Sequence, residues 1–192
     1  MIQGRYDPEK HHRRSIRLQG YDYTQPGAYF VTICTQNRAS LFGAVADEEM
    51  QLNNAGQIAK AAWDELPARF PSVRLDAFIV MPNHVHGIIM VGAQFIAPSD
   101  GFGTATINQG AINHAPTLGE MVRAYKAAST RLIRQAGTPD FAWQRNYYEH
   151  VIRDEESLDR IRRYILDNPA HWEFDRENPA ATALEQEDAW RA

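Results

Sequence analysis

Apolar and polar positions along this chain alternate with two different spacings, and the changes between them mark out the elements. Ala28 to Thr35 (Ala-Tyr-Phe-Val-Thr-Ile-Cys-Thr) is dense in aromatic and β-branched residues, which suit a pleated surface, and predicts a strand. A weaker extended stretch spans Phe42 to Leu52. Asn54 then reads as the cap of a helix in which Ile58, Ala61, Ala62 and Leu66 recur at helical spacing, ending at Pro67 or soon after. Leu75 to Met81 predicts a second strand, Pro82-Asn83 a turn, and His84 to Val91 a third strand antiparallel to the second. Residues 93–116 hold little core material and read as a flexible surface loop. Thr117 and Glu120 make a capping box for a helix to about Gln135. Its buried face is Leu118, Met121, Val122, Tyr125, Leu132 and Ile133, and Gly137 is its stop. Trp143 to Ile152 is a short strand or an ordered loop. A last helix, begun by the acidic Asp154, Glu155 and Glu156, runs to about Asn168 and stops before Pro169. The expected class is α+β, a mostly antiparallel sheet with helices packed on it.

The length of 192 residues suits one domain, and the single Cys excludes a disulfide framework or a multi-cysteine zinc module. The first ten residues are polar and no apolar stretch reaches a membrane span, so the expectation is a cytoplasmic protein without signal peptide or membrane segment. The net charge of −4 argues against a histone-like positive coat, but it conceals an asymmetry. Residues 173–192 form an acidic tail. Residues 1–20, with Arg13, Arg14 and Arg17, read as a basic arm, and Arg123, Lys126, Arg131 and Arg134 form a second basic strip on one helix. Such strips hold phosphates even on an acidic protein, although a solvated helix face has the same composition.

Chemistry concentrates in Met81-Pro82-Asn83-His84-Val85-His86-Gly87. Residues two apart on a strand face the same way, so His84 and His86 present paired imidazoles, as a divalent metal site requires. Two hydrogen-bonded core histidines fit the same pattern. A histidine-triad hydrolase wants a third His at position 88, and a metallo-β-lactamase-type zinc site wants Asp and His at 88 and 89; both positions are Ile. Further ligands must come from elsewhere. On the last helix, Tyr164 and Asn168 lie four apart on one face, at the rim of the apolar stripe Leu158, Ile161 and Ile165. Arg160, Arg162 and Arg163 line the outer side and are suited to steering phosphate. A half-buried Tyr164 and a capping Asn168 are the plainer reading of the same two residues.

Three blocks occur in order: Met-Pro-Asn-His-Val-His-Gly, then Trp143 to Glu155 (Trp-Gln-Arg-Asn-Tyr-Tyr-Glu-His-Val-Ile-Arg-Asp-Glu), then Tyr164 to Pro169 (Tyr-Ile-Leu-Asp-Asn-Pro). Together with the first strand and its Thr-Gln-Asn-Arg end, they resemble the REP-associated tyrosine transposases, within the single-tyrosine HUH transposases. The resemblance covers roughly residues 13–172. It implies a ferredoxin/RRM-like HUH domain over 21–172, with 93–116 as a loop insertion. It also implies His84, His86 and Asn168 as ligands of Mg²⁺ or Mn²⁺, and Tyr164 as the nucleophile. The 93–116 loop is longer than a minimal member needs, and the tail beyond Trp172 has no counterpart.

The implied enzyme is a transposase and single-strand DNA endonuclease. It cleaves and rejoins REP-type hairpins through a covalent 5′-phosphotyrosine, with a cation activating the phosphate. Arg13, Arg14, Arg17, Arg123, Lys126, Arg131, Arg134, Arg162 and Arg163 are its expected DNA contacts, and Tyr147, Tyr148 and Trp143 are candidates for stacking or for the core. Tyr147 and Tyr148 are the rival nucleophiles. Monomer and homodimer both remain open. Two other classes do as well: a metal-dependent phosphodiesterase that uses water, and a non-catalytic nucleic-acid-binding protein.

Overall fold

The computed structural model describes residues 27–92 and 116–181. The basic arm 1–20 with Arg13, Arg14 and Arg17, the 93–116 insertion up to residue 115, and the tail from residue 182 lie outside the described residues.

Strand β1 (Gly27–Cys34) is the centre of the sheet because every one of its residues is buried, as its run of β-branched and aromatic side chains requires. It pairs antiparallel with β5 (His84–Val91) on one side and β6 (Tyr148–Ile152) on the other. The outer edge of β5 takes β4 (Val73–Val80), giving the order β4-β5-β1-β6. The expected antiparallel α+β architecture is therefore the one observed.

Alternation along the strands divides the core in two. Tyr29, Val31, Ile33, Val85, Ile89 and Val91 point to one face, under α1 (Asn54–Asp64) and α3 (Leu118–Gln135). Ala28, Phe30, Ile88, Met90 and Ile152 point to the other, under α4 (Glu155–Asp167) with its Leu158, Ile161 and Ile165. Helix α4 is tied to the sheet edge by Arg162, whose guanidinium grips both oxygens of Asp76 at 2.8 Å. Asp76 and Ala77 form a bulge opposite Ile88, between the pairs Leu75↔Ile89 and Phe78↔Gly87, and this irregularity re-aims the carboxylate.

Local departures from the sequence-based expectation have identifiable causes. Phe42 to Leu52 is no single extended stretch but the hairpin of β2 (Gly43–Ala46) and β3 (Glu49–Leu52). Asp47 and Glu48 sit between them at φ 51° and 60°, as a two-residue turn of the primed type demands. The cap of α1 is Asn53 rather than Asn54; its side chain accepts from the Gly56 N–H at 3.0 Å. The buried face of α1 includes Trp63, while Ala61 is exposed. Pro67 does not end the helical path, because it sits in the first turn of the short α2 (Leu66–Arg69), where a missing N–H costs nothing. Strand β4 begins two residues before Leu75.

Helix α3 has the expected capping box, and Gly137 follows it at φ +108°, but Leu132 is turned outward and 37% exposed. Pro169 likewise fails to stop the chain. It opens a 3-10 segment, Asn168–Phe174, that turns the chain back toward the sheet.

Candidate active site

His84 and His86 lie on the α4 face of β5, opposite Cys34 and Thr32 of β1, and both are buried. Each ring is oriented through its Nδ1. Asn83 is fully buried in the turn before β5 and its Nδ2 donates to the carbonyls of Arg38 at 3.1 Å and Glu177 at 2.7 Å. Its Oδ1 therefore faces the His84 ring and accepts from Nδ1 at 2.8 Å, which leaves His84 Nε2 without a proton. Thr32 Oγ1 meets His86 Nδ1 at 2.9 Å. The two Nε2 atoms converge to 3.0 Å.

This arrangement fits a divalent ion. Two nitrogens each about 2.1 Å from an ion, at right angles in an octahedral shell, would stand about 3.0 Å apart. Burial also keeps the rings in the neutral form that ligates. The His84 pKa is pulled down to about 3, chiefly by desolvation and also by the Arg38 charge. Desolvation, then the neighbouring His84, holds His86 well below its ordinary value, with Asp175 acting the other way.

Helix α4 lays Tyr164 over this pair. The phenol oxygen is 3.3 Å from His86 Nε2, and its ring meets Phe30 edge-on at 6.0 Å. One turn further, Asn168 is buried and donates from Nδ2 to Asp175 Oδ2 at 2.9 Å. Its Oδ1 is buried and has no hydrogen-bond partner among the described residues. Leaving such an acceptor unsatisfied costs about 1–3 kcal/mol, a cost that a bound cation would remove. The helical spacing thus sets Tyr164 beside His86 and Asn168 beside Asp175.

Asp175 is a site residue that no sequence pattern predicts. It is 7% exposed, and with His84 and His86 it forms a buried group able to hold a metal ion, all three ligand atoms lying within 4.8 Å of one another. Its Oδ2 stands 4.0 Å from His84 Nε2 and its Oδ1 accepts from the Glu177 N–H at 2.6 Å. No spacing rule links Asp175 to a strand some ninety residues earlier; the fold-back after Pro169 does so. Glu177 holds this segment in place. Its carboxylate pairs with Arg38 at 2.9 Å and accepts from the Cys34 thiol at 3.3 Å.

The cationic residues separate into distinct groups. Arg123, Lys126, Arg131 and Arg134 do share one side of α3, and with Arg145 they line an open groove of about 720 Å³. That groove belongs to the α1/α3 side of the sheet, not to the side of the histidines. Within it, Lys126 donates to the carbonyls of Gln144, Arg145 and Asn146 at 2.8, 3.3 and 3.1 Å, which makes it a strut for that segment. Arg162 is engaged by Asp76, Glu155 and Asp159, while Arg163 is exposed and donates to the Asp159 carbonyl.

Trp143 is in the core, donating from Nε1 to Ser129 Oγ at 3.0 Å. Tyr147 packs on the α1/α3 side with Lys126 5.5 Å above its ring. Tyr148 shares the histidine face, next to Phe30 at 6.4 Å.

No family model matches the sequence. A protein of Haemophilus influenzae, itself uncharacterized, is 43% identical over 176 residues, which span 90% of this chain and 96% of that one. The solved structure of a REP-associated tyrosine transposase bound to a REP hairpin overlays with a TM-score of 0.53 at 20% identity, over 81% of this chain and 74% of that one; the fold is shared. A Deinococcus radiodurans chain provisionally named a transposase is also 20% identical, over 79% of this chain and 95% of that one, with a TM-score of 0.42.

Proposed function

We propose that this chain, which belongs to the same family as the Haemophilus influenzae protein and has the fold of a REP-associated tyrosine transposase, is a metal-dependent enzyme that cuts and rejoins single-stranded DNA. The observation that carries this reading is one juxtaposition. A tyrosine oxygen stands 3.3 Å from the Nε2 of a histidine whose own Nε2 neighbour is 3.0 Å away, in a buried pocket that also holds the Asp175 carboxylate. A phenol beside two converging imidazole nitrogens, with a buried carboxylate close by, is an arrangement suited to phosphoryl transfer at a cation.

His84, His86 and Asn168 would hold Mg²⁺ or Mn²⁺, and the mixed nitrogen and oxygen donor set suits Mn²⁺ somewhat better. The bound ion supplies Lewis-acid polarisation of the scissile phosphate. Tyr164 attacks the phosphorus: its Oη–P bond forms, the P–O3′ bond breaks, the phenol proton passes to solvent and the leaving 3′ oxygen takes one up. One phosphoester replaces another, so a later 3′-OH can reverse the step and rejoin DNA without a nucleotide cofactor. Asn83 and Thr32 keep the two rings in register throughout.

The substrate is hairpin DNA with adjoining single strand, in keeping with the REP hairpin to which the fold neighbour is bound. Arg123, Arg131 and Arg134, with Arg13, Arg14 and Arg17 of the arm and Arg163 beside the site, contact its phosphates; Lys126 and Arg162 serve mainly through the protein contacts already described. The enzyme acts in the cytoplasm, where its DNA is.

The test mixes the protein with Mn²⁺ or Mg²⁺ and end-labelled hairpin DNA and separates the products on a denaturing gel. The expected result is a protein–DNA adduct in the wild type that is lost in Tyr164→Phe and His84→Ala. An adduct that survives Tyr164→Phe moves the nucleophile to Tyr148. Cleavage that releases a 5′-phosphate without adduct means a water nucleophile, and binding without cleavage means a non-catalytic module.

A further inference from the structure

We propose that Asp175, from the segment beyond α4, is a direct ligand of the metal centre and its anionic member, so that the ion is loaded before any DNA arrives. The inference rests on the metal-centre reading above and extends it to a part of the chain that the family resemblance does not cover.

Four observations carry it. The carboxylate is inside the site: Oδ2 is 4.0 Å from His84 Nε2, within the 4.8 Å envelope of the group, and the residue is 7% exposed. Its hydrogen-bond partners are neutral, the Asn168 amide on Oδ2 and the Glu177 N–H on Oδ1, each of which leaves an oxygen lone pair over. A carboxylate buried with only neutral hydrogen-bond partners is costly, and a divalent ion is a partner that offsets the cost.

The segment is also fixed rather than merely close. Asn83 orients the His84 ring with its Oδ1 and clasps the Glu177 carbonyl with its Nδ2, so one side chain sets both a ligand ring and the segment that delivers Asp175. Finally, the bond from Asn168 Nδ2 to Asp175 settles which end of the Asn168 amide is donor, and it leaves Oδ1 as a second bare oxygen. His84, His86 and Asn168 offer no negative charge by themselves. With Asp175 added, the set contains a hard anionic oxygen, the donor that Mn²⁺ and Mg²⁺ prefer.

The experiment titrates Mn²⁺ into the full-length protein without DNA, followed by calorimetry and by the rise in melting temperature that Mn²⁺ produces. Each variant is compared with its own metal-free melting temperature, so a general loss of stability does not imitate the effect. Asp175→Asn is expected to weaken Mn²⁺ binding at least about tenfold. A purely positioning role, in which Asp175 only orients Asn168, is separated by the double variant. In an Asn168→Ala background, Asp175→Asn is expected to cause a further loss of affinity. No further loss, or an Asp175→Asn single variant that binds as the wild type does, overturns the proposal while leaving the function above intact. A wild type that binds no Mn²⁺ yet forms the adduct with DNA overturns it too, because the ion would then arrive only with substrate. If neither binding nor adduct occurs, the underlying reading fails with it.

Discussion

The two faces of the four-stranded sheet are built from alternate residues of the same strands, yet they hold very different interiors. Under α1 and α3 the core is aromatic: Trp63 stacks on Phe78 at 4.5 Å and meets Tyr125 edge-on at 5.4 Å, and the buried indole of Trp143 has its partner in Ser129. Under α4 the apolar cluster is smaller, and toward the His84 end of β5 it gives way to Thr32, His84, His86, Asn168 and Asp175. The candidate site is therefore a part of one core layer converted to polar groups that orient one another. Its stability must come largely from the opposite layer, because burying polar groups contributes little net free energy even when they are paired.

Acidification should expose the contrast most strongly. Unfolded imidazoles bind a proton near pH 6.5, whereas the His84 pKa is about 3 in the fold and that of His86 lies well below 6.5. Below pH 6.5 the unfolded chain holds the extra protons, so stability falls as pH falls, by up to about 1.4 kcal/mol per pH unit for His84, with His86 acting in the same direction. Urea unfolding of metal-free protein from pH 7 to 4 is expected to show that slope. His86→Gln should flatten it, whereas substitutions on the Trp63 side should move the whole curve without changing its shape.

Gly87 offers a smaller and complementary break. It sits one residue from His86, yet a Cβ there would run into the Trp63 ring and stand 2.9 Å from Phe78. The glycine that ends the histidine motif thus serves the packing layer. Gly87→Ala is expected to cost about 1–3 kcal/mol in thermal or urea unfolding through overpacking. Below its melting point, Mn²⁺ binding should stay close to wild type. A variant of unchanged stability that loses metal binding would mean that the two layers are not separable in this way.

The mildest effect is expected on the far groove. Arg123 and Arg131 are exposed and line it on the side away from the histidines. Replacing either with Ala should lower the salt dependence of DNA binding by roughly 0.7–0.9 in log–log slope for each phosphate no longer neutralised. Adduct formation at saturating DNA should be little changed. An unchanged slope in both would remove the groove from the DNA path.

Much of the site was legible along the chain because its parts are local. A strand period of two puts His84 and His86 on one face, and a helix period of 3.6 stacks Tyr164 one turn before Asn168 beside a stripe of Leu158, Ile161 and Ile165. Caps and stops were legible for the same reason: Thr117 with Glu120, and Asp154, act within one turn. Errors arose where a turn's backbone conformation overrode composition, as at Asp47-Glu48, or where proline was compatible with the first turn of a new helical segment, as at Pro67 and Pro169.

Sequence alone determined the strands, the principal helices and the paired imidazoles, since each depends on residues within a few positions of one another. Tertiary structure decided which groups those imidazoles meet. The clasp of Arg162 on Asp76 joins residues 86 apart in sequence, and that of Asn83 on Glu177 joins residues 94 apart. The basic strip of α3 went to the far side of the sheet and Asp175 came to the near one through the path of the whole chain. No periodicity encodes that path; it is set by which apolar faces must be buried together.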